Sequence, residues 1–123
     1  MRVFHVTPMC NLPGIRKRGL IPDLATGKRK AVYVVDEKAV PWAIAHVADR
    51  HGMKVNRLVI ISLDIDENDL RRLGVPGVFY VERFIPVLDA PVYHAHMYLR
   101  HVEEDLVENR DPWEWEILEV AKI

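Results

Sequence analysis

Two polar side chains stand at alternate positions of the short apolar run Phe4-His5-Val6-Thr7-Pro8. Alternation puts His5 and Thr7 on one face of a strand. An unpaired buried donor or acceptor costs about 1–3 kcal/mol, so both groups must either be hydrogen-bonded within the fold or be used on a ligand. Other residues with chemical potential are weaker candidates. His94-Ala95-His96 with His101 could suggest a metal, but zinc needs three or four placed ligands with supporting hydrogen bonds behind them. No cysteine or established ligand spacing accompanies these histidines, so no metal is implied. Cys10 lies just after the first strand, and no neighbouring feature marks it as an activated nucleophile. The basic runs Arg16-Lys17-Arg18 and Lys28-Arg29-Lys30 read as solvated surface, or at most as a local anion patch.

The elements that must position these groups follow from periodicity. A strand over about 2–6 leads into a helix over 10–18 that closes on Gly19, and Pro22 forbids its resumption. After an irregular loop over 22–30, Ala31-Val32-Tyr33-Val34-Val35 reads as a buried strand. Asp36 can cap a helix over about 37–51, where Val40, Ala43, Ile44, Val47 and Ala48 recur at helical spacing. Leu58 to Ile65 is the longest β-like run, followed by a small helix over Glu67–Leu73 and the turn Gly74-Val75-Pro76-Gly77. Val78 to Val81 starts a further strand that leads through Glu82 to Ile85-Pro86-Val87. His94 to Asn109 reads as a helix with Met97, Val102 and Leu106 as its apolar stripe, and Trp113 to Val120 alternates as a strand with one wet face. Strands and helices are interleaved, but the crossovers after 65 and 81 are too short for a regular parallel sheet. The expected class is therefore α+β.

Composition sets the frame. The chain has 123 residues, half of them apolar, which suits a single domain over 1–123 with one core. Seventeen Lys and Arg against eighteen Asp and Glu leave a formal charge of −1, so nothing draws the whole molecule toward nucleic acid or membrane. A single cysteine excludes an internal disulfide and fits a reducing, cytoplasmic setting. No apolar run approaches the roughly 20 residues of a membrane helix. Trp113 and Trp115 point to one side of their strand, either as core or covered edge, or as a surface for self-association.

The opening pattern Phe4-His5-x-Thr7, then Asn11-Leu12-x-x-Ile15-x-x-x-Gly19-Leu20-x-Pro22, resembles the ADP-ribosyltransferase superfamily. So do the Val-Tyr strand, a helix containing Trp42-Ala43, and a late Glu before Ile-Pro. The similarity spans about residues 3–92, with the last thirty residues outside it. It implies a split, twisted, mainly antiparallel sheet with flanking short helices, and NAD as co-substrate. It also implies a site of three elements, with His5 on the first strand, Tyr33 on the second and Glu82 as the variable, often acidic residue at the start of a later strand. In that reading Glu82 is catalytic, a fixed carboxylate near a ribose whose bond to nicotinamide breaks through an oxocarbenium-like transition state. Tyr33 offers a flat face to the nicotinamide and His5 a donor to the adenine-side ribose, with Thr7 beside it. Arg16, Lys28 or Arg29 is a candidate for the pyrophosphate, and the spacing does not select among them.

Departures from the family bear on activity. Val35 stands where a small polar residue often lies two after the tyrosine, and Tyr80 stands where arginine-modifying members carry a second acid. Arginine is therefore disfavoured as acceptor. RNA 2′-phosphotransferases rely on several arginines around the pocket, and none adjoins His5 or Tyr33. The acceptor is open between protein, nucleic acid and small molecule. The competing expectation is a catalytically inactive module that keeps the fold to hold a nucleotide or a protein partner.

Overall fold

The computed structural model describes residues 1–22, 29–50, 57–99 and 113–123, with 96–99 and 113–121 described through their backbone. In chain order the elements are β1 (Arg2–Pro8), α1 (Leu12–Arg18), β2 (Val32–Val35), α2 (Val40–Arg50), β3 (Arg57–Asp64), β4 (Arg71–Arg72), β5 (Val78–Val81), β6 (Pro91–Leu99) and β7 (Trp113–Lys122). The strands form a seven-stranded sheet in the order β4-β5-β2-β1-β3-β6-β7. Every neighbouring pair is antiparallel. The class is α+β, and among the described residues no helix is long and apolar enough to cross a membrane.

Both faces of the sheet are covered, which explains why six of the eight residues of β3 are buried, all apolar but Ser62. Alternate residues feed two cores. On one face Val3, Val34, Val59, Ile61 and Val81 pack with Leu12 and Ile15 of α1. On the other Val6, Val35, Leu58, Ile60 and Val78 pack with Ala43 and Ile44 of α2. Leu58, Val59 and Ile61 have no exposed surface, so β3 is the centre of the molecule.

The short helices begin and end on local chemistry. In α1, Pro13 sits in the first turn, where a missing N–H does no harm. The Gly19 amide closes the helix on the Ile15 carbonyl at 2.7 Å, with φ of 77°. Ahead of α2 the Asp36 side chain accepts from the Ala39 amide at 2.9 Å, capping a 3-10 turn over Glu37–Ala39 that runs into the helix.

Four sequence expectations change. Residues 94–99 belong to strand β6, not to a helix; the remainder of the expected helix, including His101, lies outside the described residues. Residues 67–73 form a single 3-10 turn over Glu67–Asp69 followed by the two-residue strand β4. β5 stops at Val81, and beyond it Ile85 forms an isolated bridge with Leu20, outside the strands of the sheet. The sheet is one hydrogen-bonded layer instead of two separate halves, although it narrows sharply between β1 and β2. The side chains of Trp113 and Trp115 lie outside the described set, so their expected packing or self-association does too.

Candidate functional site between β1 and β2

β1 pairs with β3 along its whole length, from Arg2↔Asp64 to Pro8↔Leu58. Its pairing with β2 is a single position, Phe4↔Val35. From there toward Pro8 on one strand and Ala31 on the other, the ladder is not continued. The Tyr33 carbonyl, which a regular ladder would offer to a β1 amide, is instead 2.7 Å from His5 Nδ1. A carbonyl only accepts, so Nδ1 carries the proton and Nε2 presents a lone pair. Burial of the ring pushes the His5 pKa below its ordinary 6.5, the hydrogen bond to Tyr33 opposing this with smaller effect. The neutral imidazole therefore presents Nε2 as an acceptor, able to take a hydrogen bond from a hydroxyl, whereas the expectation from sequence was a donor.

Thr7 shares the face of His5, as its partner Val59 and the His5 partner Ile61 both belong to the α1-side core. It is buried, and its Oγ1 accepts from Asn11 Nδ2 at 2.9 Å. Asn11 stands at the N-cap of α1 but makes no side-chain capping bond there. The pair ties β1 to the start of the helix, which gives Thr7 a structural partner.

Tyr33 lies on the other face. Its neighbours Val32 and Val34 belong to the α1-side core, so alternation turns the Tyr33 ring toward the α2 side. Its cross-strand partner there is Tyr80, whose own partner on β4 is Arg71. Arg29 joins the two tyrosines. Its guanidinium carbon is 4.2 Å from the centre of the Tyr80 ring, and its Nη1 donates to the Tyr80 hydroxyl. The Tyr33 hydroxyl donates to the Arg29 carbonyl at 3.3 Å.

Glu82 follows the last residue of β5 and is exposed. It borders a shallow cleft of about 170 Å³ together with Asp69, Arg71, Val81 and Arg83. Arg83 pairs with Asp69 at 2.9 Å, across substantially exposed side chains, an arrangement worth little in stability. In register, His5 lies beside Val34 and Glu82 beside Ala31, two strands over and three residues along. The two are thus separated by the width of β2 and by the end of β5. The resemblance would put an acid at the start of a strand, but β5 starts at Val78 after Gly77. The carboxylate found there belongs to Asp36: a Cβ at Gly77 would lie 2.5 Å from Asp36 Oδ1.

The structure thus brings His5 and Thr7 to one face, and Tyr33 and Arg29 together on the other. His5 reaches Tyr33 only through its backbone, at the parted seam, and Glu82 stands off toward the β4–β5 edge. Two residues have contacts that the sequence did not assign: Asn11, whose signal is its spacing of four from Thr7, and Tyr80, whose signal is its alternation with Val78. Among the described residues no group of three or more His, Cys, Asp or Glu is placed to hold a metal ion. Comparison with protein-family models, with curated proteins and with solved structures finds no match to the chain.

Proposed function

We propose that this chain is an ADP-ribosyltransferase-like protein that binds NAD at the parting of β1 and β2 and transfers ADP-ribose to an acceptor. The observation that carries the reading is the His5 ring, held by the Tyr33 carbonyl where β1 and β2 pair at a single position. A ring fixed in one tautomer, with Nε2 left as an acceptor, suits a ribose hydroxyl. A gap in a sheet also lets residues from both faces meet one ligand, so Tyr33 can present its ring from the α2 side while His5 acts from the α1 side. NAD would supply the reactive bond between nicotinamide and ribose. The contribution of this chain is to hold the ribose by His5, to stack the nicotinamide on Tyr33 and to place the Glu82 carboxylate where positive charge develops.

The exposed position of Glu82, beyond the end of β5, favours a second reading in which the same site binds the nucleotide without transfer. Titration calorimetry with NAD on the wild type, His5→Ala and Glu82→Gln, together with measurement of nicotinamide release, separates the two. Transfer predicts that binding is lost in His5→Ala and kept in Glu82→Gln, with release abolished in the latter. Wild-type binding without nicotinamide release supports the binding module. No binding at millimolar NAD refutes both.

A further inference from the structure

Arg29 is one of three basic residues expected near a pyrophosphate, but the structure shows its guanidinium occupied. It covers the Tyr80 ring at 4.2 Å and bonds the Tyr80 hydroxyl, while its carbonyl takes the Tyr33 hydroxyl. Tyr33 and Tyr80 are direct cross-strand partners on one face, and such partners have Cβ atoms about 5 Å apart. Both rings are only part-buried. The helix α2 packs chiefly over β1, with Ala43 and Ile44 also in the cluster that holds Val35 and Val78. A planar cation at stacking distance on an otherwise accessible ring is chemically a ligand already in place.

We propose that Arg29 is an internal stopper on an aromatic platform made by Tyr33 and Tyr80, and that a planar ring must displace it to stack there. The ligand class is a flat, electron-poor or cationic heteroaromatic group, the kind of surface that competes with a guanidinium for a tyrosine face. The inference rests on the nucleotide-binding reading for the identity of the ligand, but not for the existence of the stopper. What holds Arg29 is weak: one exposed cation–π contact and one hydrogen bond. Together these correspond to a closing equilibrium of about 5- to 50-fold. A competing ligand loses that factor in apparent affinity.

The inference therefore predicts a sign opposite to that of a pyrophosphate contact. In calorimetry with NAD and separately with adenosine, Arg29→Ala should bind about 5- to 50-fold more tightly than wild type. Adding Tyr80→Leu to Arg29→Ala should erase the gain. Equal or weaker binding by Arg29→Ala overturns the stopper. A readout without nucleotide keeps the two readings apart. Nitration of Tyr80 by tetranitromethane, followed by mass spectrometry on the intact fold, should rise several-fold in Arg29→Ala, with Tyr93 as the internal reference. If neither protein binds nucleotide but Tyr80 nitration rises, the stopper stands and the NAD reading falls. If nitration is unchanged, the stopper is refuted whatever the nucleotide does.

Discussion

Gly77→Ala is the substitution whose cost can be worked most completely from the structure. Gly77 has φ of 77°, in the left-handed region that costs an L-residue with a Cβ about 1–2 kcal/mol. The added methyl would also lie 2.5 Å from Asp36 Oδ1 and 2.7 Å from Oδ2, closer than any real Cβ contact. The Asp36 carboxylate must then swing away and release the Ala39 amide it caps at 2.9 Å, a loss of about 1 kcal/mol. The two terms predict a destabilisation of about 2–3 kcal/mol. Urea unfolding at neutral pH measures it, and a double-mutant cycle with Asp36→Ala separates the parts. With the carboxylate gone, Gly77→Ala should cost only the backbone term, leaving a coupling of about 1 kcal/mol. A single-mutant cost under about 0.5 kcal/mol, within the range of neutral surface changes, would refute the backbone argument. An identical cost in both backgrounds would refute the contact with Asp36.

Other expectations test other parts of the fold. Because burial holds the His5 pKa below 6.5, the unfolded chain takes up a proton at mildly acid pH that the folded chain refuses. The contribution of His5 is complete above its ordinary pKa and is lost as pH falls toward the depressed folded value. The stability difference between wild type and His5→Gln, measured by urea unfolding across pH 7.5 to 5, should narrow accordingly. Ile61→Ala, at a position with no exposed surface in β3, should cost about 2–5 kcal/mol in the same assay. Thr7→Val removes the acceptor for Asn11 Nδ2 and should cost about 1 kcal/mol, since exposed Asn11 can turn to water.

The sequence makes legible the elements whose signals are local. The run into Gly19, the Asp36 cap and the apolar stretches of β1, β2, β3 and β5 depend on residues a few positions apart. β6 does not declare itself because both of its faces are covered: Val92 enters one core and Ala95 the other, while Tyr93 and His94 are part-buried between them. No alternation of wet and dry survives, and a partner far away in sequence decides its form. A register shift where β7 passes the Val92–Tyr93 step disturbs the pattern further. The candidate site divides in the same way. The need of His5 and Thr7 for partners was readable from a strand with two polar residues, and both partners are found. Which face Tyr33 takes, and that Arg29 lies over Tyr80 fifty-one residues away, depends on strand register that no local pattern contains.

The single ladder pair between β1 and β2, Phe4↔Val35, also divides the sheet into two leaves of unequal grip. On one side, β1, β3, β6 and β7 are zipped along long ladders. On the other, β2, β5 and β4 hold one another over four pairs and then two. Amide hydrogen exchange should find the line between them. The β3 amides should exchange only when the whole domain unfolds, while those of β2 and β5 exchange through a smaller, cheaper opening that swings the short leaf as a unit. His5 spans that line, so a ligand bound to its Nε2 and to the short leaf together would act as a clasp. Its binding would then register as slowed exchange along the whole of β2 and β5, beyond the few residues that it touches.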